Sequence, residues 1–131
     1  MADGVAGLVV FQRAYALSLE LHRASLSWPK VEQYGGIADQ VRRSSKAVCA
    51  LLAEGVGRSR ASRREFERYV IMALGSADEA RLWCQYAEDL GYAPGNQAAA
   101  WRASLQEIAR MLQGLLARHR QAQEPSPETD P

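Results

Sequence analysis

The chain contains 131 residues, of which 47% are hydrophobic and 24% charged, and its formal net charge is only +1. This length predicts a single domain that buries a self-supporting core, and the small net charge excludes attraction of the whole molecule to polyanions. Two cysteines without a C-x-x-C spacing favour buried thiols in a reducing cytoplasm. The apolar stretch before Phe11 follows no basic segment and is too short to cross a bilayer, so the sequence predicts a cytoplasmic protein without membrane contact.

The first half of the chain carries two helical patterns, in which apolar residues recur at spacings of three and four. The first pattern predicts a helix over residues 8–25. We expect Trp28-Pro29 to end it, because proline disfavours helical geometry in the residue before it. The second pattern predicts a helix over residues 37–54. We expect Gly55 and Gly57 to end this helix, since glycine weakens a helix interior and readily adopts the left-handed conformation of a C-cap.

A capping box predicts the start of the third helix, because the Ser62 hydroxyl can accept from the Glu65 amide while the glutamate side chain reaches back. The helical pattern continues to Leu90 and stops at the glycine-containing stretch that follows. Its apolar seam consists mostly of small side chains, which allow a partner helix to approach closely. The seam residues are Phe66, Val70, Ala73, Ala77, Ala80, Cys84 and Ala87.

The fourth helical pattern follows Asn96, which we expect to be its N-cap. From Gln121 onward the chain is polar and carries three prolines and three acids, so residues 121–131 are predicted to form a disordered tail. Four amphipathic helices joined by short connections indicate an all-α fold. We expect an antiparallel, up-down-up-down four-helix bundle over residues 1–120.

Much of the positive charge lies around the predicted turn between the second and third helices. Residues 42–68 contain eight cations and three glutamates, whereas the rest of the chain is net negative. The planar fork of arginine bonds two phosphate oxygens at once, so this segment is a candidate nucleic-acid-binding site. The alternative is that these side chains form structural or intersubunit salt bridges with acids such as Glu65, Glu67 or Glu88. The eight candidates are Arg42, Arg43, Lys46, Arg58, Arg60, Arg63, Arg64 and Arg68.

A row of larger side chains, which extends to Leu90, runs beside the small seam of the third helix. The seam alone supplies the apolar arc that a bundle helix needs, so the larger row predicts contact with another subunit. The alternative is that these rings fill the same bundle beside the small residues. The candidate interface residues are Tyr69, Met72, Trp83 and Tyr86.

Six short stretches, in the same order and at similar separations, resemble the family of 23S ribosomal RNA intervening-sequence proteins, also called S23. They are W-P-K-V-E-Q-Y-G from Trp28, Q-V-R-R-S-S from Gln40, A-E-G-V-G-R from Ala53, R-R-E-F from Arg63, A-L-G-S from Ala73 and A-E-D-L-G-Y from Ala87. The resemblance covers about residues 8–118. Leu51-Leu52 departs from it, because the family often has a polar Asn-Ile pair there.

The resemblance implies a four-helix bundle that assembles as a homopentameric ring or barrel. A similar fold occurs in the accessory variability protein of diversity-generating retroelements, where a basic pentamer engages nucleic acid and a reverse transcriptase. This second link is an analogy at the level of the fold. It implies RNA, DNA or a partner protein as candidate ligands, in addition to further copies of the chain.

The sequence lacks the features of a catalytic or metal site. No nucleophile has a base beside it, the Glu and Glu-x-x-His pattern of di-iron bundles is missing, and His22 and His119 alone do not complete a zinc site. We therefore expect no catalytic residue, metal or cofactor. The leading hypothesis is a non-enzymatic homopentameric scaffold that binds a macromolecule, with nucleic acid as the first candidate. The alternative is an architectural or protein-binding ring whose arginines link its subunits.

Overall fold

The computed structural model describes residues 4–123. Short 3₁₀ turns lie at Gly4–Gly7 and Lys30–Glu32. The four helices are α1 at Val9–Ser25, α2 at Ile37–Arg58, α3 at Arg63–Asp89 and α4 at Gly95–Gln123. No strand occurs among the described residues, so the predicted all-α fold with four helices is confirmed.

Side-chain pairs show the antiparallel arrangement of neighbouring helices. Between α3 and α4, Glu88 pairs with Arg102 near one end of the bundle, and Glu67 pairs with Arg120 near the other. The short connections turn the chain back in the same way between α1 and α2 and between α2 and α3. Among the helix pairs that pack together, α1 and α4 have the least extensive contact. The helices therefore run up, down, up and down.

The core lies along α3, where all seven residues of the predicted small seam are buried. Their small side chains allow α2 and α4 to pack closely on either side. The larger partners come mainly from the other helices, and Leu52, Ile108 and Leu112 are almost completely inaccessible to solvent. Burial of one such side chain contributes roughly 1.5–3 kcal/mol, so the interlocking of small and large residues is the main source of stability.

The end of α2 differs from the sequence prediction. The helix continues through Gly55 and Gly57 and ends at Arg58. Gly55 is buried against α3, where an added Cβ would lie 2.9 Å from Cβ of Tyr69. This glycine therefore permits two helices to approach each other and does not end α2. The prediction was wrong because the close contact involves a residue on another helix.

The start of α3 was predicted more accurately than the start of α4. Ser62 is the N-cap of α3, and its hydroxyl accepts from the Glu65 amide at 3.1 Å. The reciprocal bond of a capping box does not form: the Ser62 amide donates to the Arg58 carbonyl at 3.0 Å, and the Glu65 carboxylate pairs with arginines. Helix α4 begins at Gly95, so Asn96 lies inside it and is not the N-cap. It continues to Gln123, three residues past the predicted boundary, and the rest of the predicted tail lies outside the described residues.

The two connections at one end of the bundle pack around Trp28, and we call this region the Trp28 end. The Trp28 ring lies 6.3 Å from that of Trp101 and 6.1 Å from that of Tyr92. The Tyr92 hydroxyl donates to Glu32 at 2.7 Å, and the Ile37 amide donates to the same carboxylate at 2.9 Å. These bonds, that of the amide first, hold the pKa of Glu32 below its usual value. Hydrogen bonds to a carboxylate thus hold the connections in place.

Candidate nucleic-acid interface

The opposite end of the bundle, which we call the arginine end, consists of residues 54–68 and 118–120. It contains seven arginines and three glutamates. The close contact at Gly55 and the tight turn after Arg58 bring the last turn of α2 beside the first turns of α3. The last turns of α4 join them because α3 and α4 are antiparallel. One surface thus collects cations from three helices.

Arg58 stabilises the turn between α2 and α3 by pairing with two glutamates. Its guanidinium lies 3.3 Å from Glu54 and 3.3 Å from Glu65, and Glu65 also pairs with Arg68 at 3.3 Å. The Arg58 and Arg68 guanidiniums lie 5.2 and 5.7 Å from the Tyr69 ring centroid, a distance typical of cation–π contacts. A hydrogen bond to Glu54 is the main cause that raises the pKa of Tyr69. These two arginines therefore have acidic and aromatic partners within the chain.

The last turns of α4 add cations that the sequence prediction did not include. His119 Nδ1 lies 3.1 Å from Glu67, and Arg120 Nε donates to the same carboxylate at 3.1 Å. The His119 ring also packs on Phe66, with a centroid separation of 4.4 Å. The hydrogen bond from Arg120 is the main cause that lowers the pKa of Glu67. The predicted antiparallel bundle already implied this neighbourhood, so Arg118 and Arg120 could have been found from the sequence.

Three arginines at this end have no acidic partner within residues 4–123. Arg60, Arg64 and Arg118 are exposed, and the three glutamates of the arginine end pair with other side chains. Arg64 also lies in the first turn of α3, where the helix dipole disfavours a cation. Stabilisation of the helix therefore does not explain its position. The result is a surface with excess positive charge that is open to solvent.

The other predicted nucleic-acid-binding residues form a separate group, about 22 Å away along the axis of α2. Arg42 in this group is half-buried. It donates from Nη1 to Ser25 Oγ at 2.9 Å and to Gln33 Oε1 at 3.1 Å, and from Nη2 to the Gln33 carbonyl at 3.1 Å. These bonds tie α2 to the last turn of α1 and to the connection between them. Arg42 therefore has a structural role at the Trp28 end.

Arg43 and Lys46 complete that group and are exposed. Arg43 Nε lies 3.4 Å from Asp39, one turn earlier on the same helix. Lys46 Nζ lies 2.9 Å from His22 Nδ1. Burial first, and the charge of Lys46 second, lower the pKa of His22, which favours a neutral ring that accepts this hydrogen bond. The structure thus divides the eight predicted residues between two surfaces.

Helix α3 also has an apolar surface that faces away from the core, which we call the outer face of α3. Its members are Ile71, Met72, Leu82, Tyr86 and Leu90, whose exposed fractions are 48, 39, 51, 47 and 51%. Leu82, Tyr86 and Leu90 adjoin one another at i, i+4 spacing, and neighbouring exposed apolar side chains on a soluble protein often mark an interaction site. The outer face thus contains two predicted interface residues, Leu90 from the same predicted row, and two residues that the sequence analysis did not select, Ile71 and Leu82. Helical spacing from Tyr86 would have found Leu82.

The other two predicted interface residues lie at the border of the outer face. Tyr69 and Trp83 are half-buried. Trp83 packs beside Tyr86 with ring centroids 5.7 Å apart, and it also contacts the buried core. The four predicted residues therefore divide between exposed positions and positions that fill gaps in the same bundle.

The described residues hold no arrangement typical of a metal site or a reactive thiol. Within residues 4–123, no group of three His, Cys, Asp or Glu side chains is placed to bind a metal ion. Cys49 and Cys84 are both buried, and burial raises the pKa of the first thiol to about 11 and that of the second to about 12. The thiolate, which is the nucleophilic form, is therefore scarce at neutral pH. In this part of the chain, no helix combines the length and hydropathy needed to cross a membrane.

Fold and surface together define a small four-helix-bundle protein with a basic end. The model of the 23S rRNA-intervening sequence protein family matches residues 6–114, and the chain belongs to this family. The family resemblance of the six sequence stretches is thereby confirmed.

One similar solved structure is that of a protein of unknown function from the S23 ribosomal protein family of Bacteroides thetaiotaomicron VPI-5482, with a TM-score of 0.74. The two chains share 18% identity, and the match covers 83% of this chain and 96% of the other, which shows a common fold. No match is found among curated proteins.

Proposed function

We propose that this chain is a non-enzymatic, self-associating scaffold that binds nucleic acid at its arginine end. The observation that carries the proposal is the excess of arginine there, with Arg60, Arg64 and Arg118 exposed and without an acidic partner within residues 4–123. Phosphate matches such guanidiniums because each fork donates two parallel hydrogen bonds. The description of the family names 23S rRNA, which makes RNA the first ligand to test.

The outer face of α3 is the proposed surface for self-association. Its five exposed apolar side chains are clustered on one helix and gain free energy when another copy excludes water from them. The predicted homopentamer would bring five arginine ends into one particle. If each end contacts about three phosphates, the assembly multiplies the electrostatic contacts that a long nucleic acid makes.

The binding proposal is tested by fluorescence anisotropy of short labelled single-stranded RNA, single-stranded DNA and duplexes. With about three phosphate contacts per chain, the affinity for a single strand should fall about twentyfold when salt is raised from about 50 to 200 mM. This loss reports the release of counterions from the phosphates. Absence of binding at micromolar protein and low salt would contradict the proposal.

A pair of double variants identifies the surface that binds. Arg60→Ala with Arg64→Ala removes two exposed cations from the arginine end, and we expect about a tenfold or greater loss of affinity with a smaller salt slope. Arg23→Ala with Arg43→Ala removes the same charge from exposed positions near the Trp28 end and should leave affinity within about twofold. Equal losses in both doubles would mean that the ligand responds to total charge and not to the arginine end.

Self-association is tested by analytical ultracentrifugation and native mass spectrometry. We expect a particle near five times the 14.4 kDa mass of the chain. Leu82→Glu places a charge on the outer face of α3 and should give monomers that remain helical. Val31→Glu is the matched control, because Val31 is 79% exposed and lies outside α3. A wild-type particle of 14.4 kDa at high concentration would rule out assembly.

The alternative function is an architectural ring in which arginines pair with acids of a neighbouring copy. It is supported by the pairing already seen within the chain, where Arg58 and Arg68 bind glutamates. The double variant at Arg60 and Arg64 separates the two functions. Dissociation of the particle by this variant, without any nucleic-acid binding by the wild type, would favour the architectural ring.

A further inference from the structure

An acidic stretch of sequence follows α4. Residues 124–131 carry three acids and no lysine or arginine, and the acids are Glu124, Glu128 and Asp130. Helix α4 ends at Gln123, less than one turn after Arg120 pairs with Glu67 of α3. The acidic segment therefore follows a helix terminus that lies beside the surface on which arginines outnumber glutamates.

We propose that residues 124–131 bind back to the arginine end of the same chain and compete there with nucleic acid. The competition rests on the proposed function, whereas the intramolecular contact does not. Eight residues span at most about 27 Å, and the axes of neighbouring packed helices lie about 8–10 Å apart. The segment thus reaches from α4 to Arg60 and Arg64. It does not reach the Trp28 end, which lies about 40 Å away along α3.

Charge complementarity selects this segment as the occupant of the surface. The glutamates within the arginine end already pair with arginine or histidine, so they do not neutralise Arg60, Arg64 and Arg118. The three acids of the segment match these three cations in number. Single exposed ion pairs are weak, but a short tether gives the segment a millimolar effective concentration at the surface.

The competition should be moderate and sensitive to salt. We expect the segment to weaken binding of a short single strand about three- to tenfold at about 50 mM salt. At about 200 mM salt the ratio of the affinities without and with the segment should approach one, because the screening length then falls below the separation of most of these charges. A longer nucleic acid that bridges several arginine ends displaces the segment more easily.

The intramolecular contact is tested by paramagnetic broadening in the full chain. A nitroxide is attached at Thr129→Cys, since the thiols of Cys49 and Cys84 are buried and react slowly. The labelled ¹⁵N chain is diluted into excess unlabelled chain, so that only contacts within one chain are seen. We expect broadening of the amides of residues 58–68 and not of residues 28–36. Glu124→Gln, Glu128→Gln and Asp130→Asn together, with the same label, should abolish it.

The competition is tested with the same triple variant and with a chain that ends at Gln123. Both should bind labelled RNA three- to tenfold more tightly than the wild type at about 50 mM salt, and about equally at 200 mM. The matched control is Glu20→Gln, Asp78→Asn and Glu79→Gln, which removes three exposed acids away from the arginine end. This control should change affinity less than twofold, because its charges lie beyond the screening length.

The outcomes separate the two proposals. Absence of the localised broadening overturns the inference whatever the binding data show. Broadening together with equal RNA affinity of the wild type and the triple variant overturns the competition alone. Broadening in a protein that binds no nucleic acid with or without the segment overturns the proposed function and the competition, and leaves the intramolecular contact standing.

Discussion

The two ends of the bundle use arginine in different ways. At the Trp28 end, Arg42 is half-buried and donates to uncharged groups of Ser25 and Gln33, with no acid among these partners. At the arginine end, Arg58 is half exposed and pairs with two carboxylates. Arg42 connects separate segments of the chain, whereas Arg58 remains accessible to a ligand. The partners of an arginine and its burial, and not its charge alone, indicate whether it stabilises the fold.

This difference has an energetic consequence. Removal of a half-buried donor leaves acceptors that are partly or fully shielded from water without their partner, which costs about 1–3 kcal/mol. Removal of an exposed cation allows water to replace it, and pairs at the surface contribute only about 0–1 kcal/mol. Substitution of Arg42 at the Trp28 end should therefore lower the free energy of unfolding, whereas substitution of the exposed arginines at the arginine end should lower affinity for a ligand.

Arg42→Ala should cause the largest loss of stability, about 2–3 kcal/mol. The variant loses three hydrogen bonds that hold the last turn of α1 and its connection against α2. Urea unfolding followed by circular dichroism measures the change. Arg43→Ala is the matched control, because Arg43 is the next residue along the chain, is exposed and makes a single long pair with Asp39. This variant should lower the free energy of unfolding by less than about 0.5 kcal/mol.

Gly55→Ala should destabilise the protein by about 1–2 kcal/mol, although alanine is the better helix former. The new Cβ would lie 2.9 Å from Cβ of Tyr69, so α2 and α3 have to separate slightly. Gly57→Ala provides the control two residues later, since no atom lies within 4 Å of a Cβ added there. It should stabilise the protein by about 0.5–1 kcal/mol. Equal stabilisation by both variants would show that the close contact at Gly55 does not constrain the helices.

Sequence patterns predicted the core of this fold well because the relevant information is local. The period of apolar residues placed all seven seam residues of α3 in the core, and Ser62 was recognised as an N-cap from residues within one turn. The role of Gly55 was missed because it depends on Tyr69, which lies on another helix. Glycine is typical both of a helix end and of a close contact between two helices, so the residue type alone does not distinguish these two roles.

The candidate site was predicted only in part, for the same physical reason. Arg42 and Arg58 are both arginines on α2, and their partners distinguish them only after the chain has folded. Arg118 and Arg120 lie about fifty residues from the predicted segment, so a search for a run of nearby cations did not include them. The antiparallel order of the helices was the information needed to join these residues into one surface.

Glu32→Gln should cost about 1 kcal/mol at neutral pH, because hydrogen bonds from the Ile37 amide and the Tyr92 hydroxyl favour a charged acceptor. The pKa of Glu32 is lower in the folded state than its usual value. Its contribution is therefore fully present above the unfolded pKa of about 4.3 and is lost as pH falls through the lower folded value. Urea titrations from neutral to acidic pH should show the wild type approaching the variant. A constant difference across this range would contradict the assignment.

Arg58→Ala should have the smallest effect on stability, about 0.5 kcal/mol, although Arg58 has more charged partners than Arg42. Water solvates Glu54 and Glu65 after the substitution, since both lie at the surface, and Arg68 still pairs with Glu65. The loss should become smaller in high salt, because screening weakens the exposed pairs. The loss in Arg42→Ala should change little with salt, since its acceptors are uncharged. If Arg58→Ala lowers the free energy of unfolding as much as Arg42→Ala does, the two ends of the bundle do not differ in the way that the geometry indicates.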